Sequence, residues 1–187
     1  MTTHLIIPDA HCIPSISNER FTWLGKLVAD IQPDILIDIG DWCDMESLCF
    51  YDKGKIQFEG RRYQKDVTCA LDAKEKFENE IAKVSKYKPT KIAIMGNHEQ
   101  RIERVAEETP ELKGVLSVED LGYLKYGWKL IPYLTPYNID GILYAHYFST
   151  GVMGKAMSGE NVGARLIKST FQSCTMGHSH RLDIATR

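Results

Sequence analysis

Short aliphatic runs recur at Thr3 to Ile7, Ile35 to Ile39, Lys91 to Met95, Gly141 to Ala145 and Ser173 to Met176, bounded by Pro, Gly or Asp. Such runs predict buried strands. Between them the apolar spacing becomes helical. Phe21, Leu24, Val28 and Ile31 predict an amphipathic helix over Glu19 to Ile31. Val67, Ala70, Leu71, Phe77, Ile81 and Val84 predict another over Asp66 to Lys86. A third, over Glu160 to Phe171, carries Val162, Leu166 and Ile167, while Glu99 to Glu108 is short and very polar. The stretch Glu46 to Lys65 has no period and reads as a long insertion loop. Strands alternating with helices predict an α/β fold with parallel pairs, whose active sites gather in the loops leaving the carboxyl ends of strands.

Composition narrows the picture further. No repeat, low-complexity tract or linker divides the 187 residues, so a single domain over 1–187 is expected. A formal net charge of −2 provides no global pull toward nucleic acid or anionic lipid. No stretch nears the roughly 18 uncharged apolar residues of a membrane span. Cys12, Cys43, Cys49, Cys69 and Cys174 are odd in number and form no C-x-x-C pair, which suits reduced thiols better than disulfides or a cysteine zinc site. The chain is expected to be soluble and cytoplasmic, with no membrane partner.

The chemistry sits where the strands end. The first run leads into Asp9-Ala10-His11, the second into Gly40-Asp41-Trp42-Cys43-Asp44, and the third into Gly96-Asn97-His98-Glu99. The fourth leads into His146 and the fifth into Gly177-His178-Ser179-His180, leaving His4 as the one histidine of six outside these ends. In an extended segment, D-x-H and H-x-H spacings put two ligands on one side of the backbone. Asp, Asn and His together suit Mn²⁺, Fe²⁺, Zn²⁺ or Ni²⁺. Seven candidate ligands are too many for one tetrahedral ion and suit two ions sharing a bridge. A lone strand-end histidine such as His146 is more often a hydrogen-bonding residue than a ligand, and only the set of five strand ends points to ligation.

In order and completeness these five blocks resemble the signature of calcineurin-like metallophosphoesterases, over residues 9 to 180. The resemblance implies a two-sheet sandwich flanked by helices. It implies that Asp9, His11 and His180 hold one divalent ion, Asn97, His146 and His178 a second, and that Asp41 bridges them. Mn²⁺ is the first choice, with Fe²⁺, Zn²⁺ or Ni²⁺ as alternatives. His98 would stabilise phosphoryl oxygens or protonate the leaving group, Glu99 would orient or charge its imidazole, and Asp44 would hold a ligand in place. Two ions bring +4 against −2 from Asp9 and Asp41. The remaining positive charge suits attack on a phosphoester by a hydroxide shared between the ions. After His180 seven residues remain, so the chain is expected to be either a minimal form of this fold or one lacking its last strands.

The expected substrate is a phosphodiester of nucleic acid or a nucleotide. Met45-Glu46 follows Asp44 where related protein phosphatases have Arg-Gly, which disfavours a phosphoprotein substrate. A phosphomonoesterase is the alternative, and a non-catalytic scaffold of the same fold the lesser one. Arg101 is a candidate substrate contact, whereas Arg104 reads as helix surface beside Glu107 and Glu108. Tyr51 to Lys65 mixes aromatic and basic residues and reads first as a solvated loop, second as a nucleic-acid contact. The segment around Tyr123, Tyr126 and Trp128 is a further candidate lining for a pocket.

Overall fold

The computed structural model describes residues 2–186. Three aliphatic runs, β1 (His4–Ile7), β2 (Ile35–Asp38) and β3 (Thr90–Ile94), form a parallel sheet. A fourth strand, β4 (Lys129–Ile131), extends it in the order β1-β2-β3-β4. Right-handed crossovers stepping always in one direction deposit their connecting helices on one face of a sheet. Accordingly α1 (Glu19–Ile31) and α2 (Tyr63–Ala82) pack against each other, and Phe21, Val28, Ala73 and Phe77 join Leu36 and Ala93 in one core. The helix α3 (Gln100–Glu108) adds Ile102 to the same core.

The other face meets a second sheet. It is built from β5 (Tyr137–Ile139), β6 (Ile142–Ala145) and, after a small hairpin of β7 (Ser149–Thr150) and β8 (Lys155–Ala156), β9 (Cys174–Met176). Strands β6 and β9 run parallel. Ile37, Ile39, Ile92, Ile94 and Ile131 of the first sheet interlock with Ile139 and Tyr144 of the second. Burial on both faces explains why β1 to β3 read as continuous aliphatic runs rather than alternating ones. Outside the second sheet lies α4 (Val162–Thr170), whose Val162 and Leu166 pack on Ala145 and Phe148. The result is the expected two-sheet sandwich flanked by helices.

Several predicted boundaries move. α2 begins at Tyr63, not Asp66, because the Tyr63 hydroxyl anchors the first turn by donating to Asp120 Oδ2 at 2.6 Å. The insertion is not a featureless loop: it folds into three 3-10 turns at Glu46–Leu48, Phe50–Asp52 and Ile56–Phe58. Arg61 closes it, donating to Asp52 Oδ2 at 2.7 Å and to the Glu46 carbonyl at 3.3 Å. Among the described residues no helix is long and apolar enough to cross a membrane.

Candidate metal centre

All five predicted strand ends converge on one site. Past β1 and β2 the two chains stay paired: His11 N–H donates to the Asp41 carbonyl at 2.8 Å, Cys12 N–H to Trp42 at 2.8 Å, and Asp44 N–H to Cys12 at 3.1 Å. These segments are not extended, contrary to the period-two argument. Asp9, His11, Asp41, His178 and His180 have φ of 45°, 44°, 57°, 65° and 51°. Left-handed backbone at a non-glycine residue costs on the order of 1 kcal/mol, and its clustering marks a functional site. Each turn carries both ends of its D-x-H or H-x-H pair into the same space by bending rather than by alternation.

Two donor sets result. Asp9, His11 and His180 offer ligand atoms within 4.8 Å of one another, as do Asp41, His146 and His178. His11 Nε2 faces His180 Nε2 at 3.3 Å, and His180 Nε2 is 3.5 Å from Asp9 Oδ1. In the second set His146 Nε2 lies 2.9 Å from Asn97 Oδ1, 3.2 Å from His178 Nδ1 and 3.2 Å from Asp41 Oδ2. Asp41 Oδ2 also lies 3.8 Å from His11 Nε2, so it stands between the sets. A third grouping joins His11, Asp41 and His98.

The donor chemistry fits cations. His146 Nδ1 bonds the Ile39 carbonyl at 3.0 Å and must carry the proton there, so in the neutral ring Nε2 is a bare lone pair. That lone pair confronts the Asn97 amide oxygen, the Asp41 carboxylate and a second imidazole. His11 Nδ1 is likewise bonded to Asp44 Oδ1 at 3.0 Å, which turns its Nε2 lone pair toward His180. Lone pairs crowded in this way repel one another unless a cation or proton lies between them. For the apo protein the shifts follow the same logic. Burial pulls His146 down, but the hydrogen bond and charge of Asp41 outweigh it and raise the group; burial and the neighbouring His146 lower His178.

Around the donors lies a supporting ring. Asp44 Oδ1 accepts from His11 and, at 2.8 Å, from His98 Nδ1. Burial pushes Asp44 up, yet hydrogen bonds from these two histidines win and hold it well below the usual carboxylate range. His98 Nδ1 also reaches the Asp44 carbonyl at 2.8 Å, leaving Nε2 to face Asp41 Oδ2 at 3.7 Å. Arg101 is part of the site: Nη1 donates to the Asp44 carbonyl at 2.6 Å, and Nη2 stands 3.4 Å from His98 Nε2. Arg104 stays on the surface, 4.0 Å from Glu108.

Glu99 corrects an expectation. It makes no bond to the His98 ring. Fully buried, it accepts the backbone N–H groups of Asp41 and Gly96 on Oε2, both at 2.9 Å, and of Cys43 on Oε1 at 3.2 Å. It thereby ties the second and third strand-end loops together. Burial, with Asp41 and Asp38 nearby, pushes it up to about 7.

The close approach of these loops depends on Gly96. A Cβ there would sit 2.1 Å from Asp41 Oδ1 and 2.5 Å from Asp41 N. Gly96→Ala is therefore expected to displace Asp41, destabilising the fold by about 1–3 kcal/mol and weakening Mn²⁺ binding by about tenfold or more. Urea unfolding and calorimetric metal titration measure the two effects separately.

The sequence does not mark Tyr147 or its partner Tyr133 as neighbours of the site. Tyr147 packs its ring 4.9 Å from His178, and its hydroxyl bonds that of Tyr133 at 2.7 Å. Its one signal was adjacency to His146. Conversely Tyr123 and Trp128 line no surface pocket; they are core residues, 0% and 2% exposed. His4, outside the site, bonds the Tyr144 hydroxyl at 2.8 Å. Asp9 and His180 of the first set border a cavity of about 540 Å³ between α4 and residues 181–185.

Comparison with curated proteins and with solved structures returned no match. The family model for calcineurin-like phosphoesterases matches residues 3–128, which include Asp9, His11, Asp41, Asn97 and His98. His146, His178 and His180 lie beyond the match, yet the fold returns them to the same centre. With the match covering over half of the chain, this protein belongs to the calcineurin-like phosphoesterase family, the domain of metal-dependent phosphoester hydrolases.

Proposed function

We propose that the protein hydrolyses phosphodiesters of nucleic acid or nucleotides at a binuclear metal centre. The observation that carries this reading is Asp41 Oδ2, standing between two donor sets built from five separate strand ends. Asp9, His11 and His180 would hold one ion, Asn97, His146 and His178 the other, and Asp41 would bridge them. Two divalent ions, Mn²⁺ first among them, would supply an activated water and neutralise charge on the phosphoryl group.

The chain's own groups then divide the work. The proton that His98 Nδ1 gives to the Asp44 carbonyl fixes the ring, so a charged His98 presents its second proton on Nε2 toward the site. Asp44 and Asp41 raise His98 above its ordinary value despite burial. The water oxygen joins phosphorus and gives up one proton to bulk solvent, the ester P–O bond breaks, and His98 Nε2–H protonates the departing oxygen. Arg101 Nη2, beside that nitrogen, can bond a phosphoryl oxygen.

The preference for nucleic acid draws on the insertion. It starts two residues beyond Asp44 and exposes Phe50, Tyr51 and Ile56 alongside Lys53, Lys55, Arg62 and Lys65. Exposed rings that stack on bases and cations that meet phosphates are the elements of single-strand binding. The five free thiols support a reducing, cytoplasmic location.

The test is hydrolysis by metal-stripped protein reloaded with Mn²⁺, Ni²⁺, Zn²⁺ or Mg²⁺, offered an aryl phosphodiester, an aryl phosphomonoester and a single-stranded oligonucleotide. Metal-dependent cleavage of the diester and the oligonucleotide is expected. Cleavage of the monoester alone would make the protein a phosphatase, and no turnover with any metal would make it a scaffold.

A further inference from the structure

Beneath the centre lies a charged residue that the chemistry above does not use. Lys74, in the middle of α2, is completely buried, and its Nζ makes no hydrogen bond among the described residues. It sits 3.5 Å from the centroid of Trp42, 3.7 Å from Tyr123 and 4.9 Å from Trp128. Its nearest carboxylate is Asp38, whose Oδ2 is 3.8 Å away.

Burying an ammonium is costly, and this one falls to about 8 through burial despite Asp38 and Glu78. A methionine or leucine would fill the same helical position at far less expense. The cage explains only part of what it gains. Cation–π contacts with the three rings offset part of the cost of removing the ammonium from water.

Its two principal contacts bracket one ligand. Asp38 Oδ1 accepts the Gly40 N–H at 3.1 Å, and Oδ2 accepts the Tyr123 hydroxyl at 2.7 Å. Trp42, whose ring faces Lys74, follows Asp41 directly and is itself held between Phe21 and Phe77. Burial raises Asp38, while the Lys74 charge and the Tyr123 hydrogen bond pull it back. The residues before and after the Gly40-Asp41 step are thus tied to one cation anchored in α2.

We propose that Lys74 is a positioning residue for metal binding: through Asp38 on one side and Trp42 on the other, it holds the turn that presents Asp41. Its charge matters because Asp38 bonds Gly40 most strongly as a carboxylate. A neutral side chain of the same volume leaves Asp38 buried without its counter-charge and loosens the turn.

The inference rests on the metal-binding reading, and calorimetric titration of metal-free protein with Mn²⁺ separates the two. Wild type, Lys74→Met, Asp38→Asn and the double variant are compared, with thermal unfolding recorded for each. Both single variants are expected to bind Mn²⁺ about tenfold more weakly, and the double variant no more weakly than either. Shared loss of this kind would show that the two residues act on the same turn rather than independently. Wild-type affinity in Lys74→Met, or losses that multiply in the double variant, would overturn the role of Lys74 alone. Absence of Mn²⁺ binding by wild type would overturn the metal reading and this inference with it. If Lys74→Met does not fold, Asp38→Asn decides: tenfold weaker binding supports the proposal and unchanged binding refutes it.

Discussion

Asp41→Asn is expected to lower kcat/KM for a phosphodiester by about 10³-fold or more, a loss of about 4 kcal/mol in transition-state stabilisation. Oδ2 is the atom nearest both donor sets, at 3.2 Å from His146 Nε2 and 3.8 Å from His11 Nε2. The amide removes one negative charge and turns one of the two oxygens into an N–H donor. If that nitrogen replaces Oδ2, it faces the His146 lone pair and cannot ligate a cation. If it replaces Oδ1, it opposes the His98 N–H now donated there at 2.9 Å. Either orientation breaks one requirement, so Mn²⁺ stoichiometry is expected to fall from two to one or fewer. The core is untouched, and the urea midpoint of the metal-free variant should stay near that of wild type. Retention of two ions and ordinary turnover would remove Asp41 from the bridging position.

The second large effect belongs to His98→Ala, and its size should depend on the leaving group. A general acid contributes typically 10²–10⁴-fold where the departing oxygen needs a proton. An alkoxide such as a ribose oxygen needs one; a nitrophenolate does not. The variant is therefore expected to lose about 10²–10³-fold on an oligonucleotide or alkyl ester but far less on a nitrophenyl diester. Asp44 should share this pattern in milder form, since both its carboxylate and its carbonyl fix the His98 ring. Equal losses on both classes of ester would assign His98 to binding or charge stabilisation instead.

What could be read from the residues, and what could not, divides along physical lines. α1 falls on the predicted residues Glu19–Ile31 because its apolar stripe is regular and Pro33 stops continuation. β2 and β3 are aliphatic runs packed between layers, a pattern that needs no neighbour to be seen. β4 and β5 are three residues each, and their Lys129 and Asn138 break the apolar run, so only pairing with β3 and β6 defines them. Glu99 adjoins His98 in sequence, which suggested a partnership, but the start of α3 carries it under the loops. Lys74 continues the spacing of Val67, Ala70, Phe77 and Ile81, yet a charge in that series reads as a solvated break. Only the aromatic residues brought to it from Trp42, Tyr123 and Trp128 reveal it as core. Period-two reasoning about D-x-H failed for a local reason: the chain turns left-handed as soon as it leaves the strand.

The candidate centre straddles the seam of the sandwich. Asp9, His11, Asp41 and Asn97 hang from the first sheet, while His146, His178 and His180 hang from the second. Within the site the sheets already touch, through the Asp9 carboxylate on the His178 N–H at 2.9 Å and the His146 ring on the Ile39 carbonyl. Ions bound there would act as a non-covalent cross-link closing loops between distant parts of the chain, with the entropic leverage that a disulfide has on an unfolded polypeptide. Metal supply would then set the mechanical cohesion of the two halves as well as their chemistry.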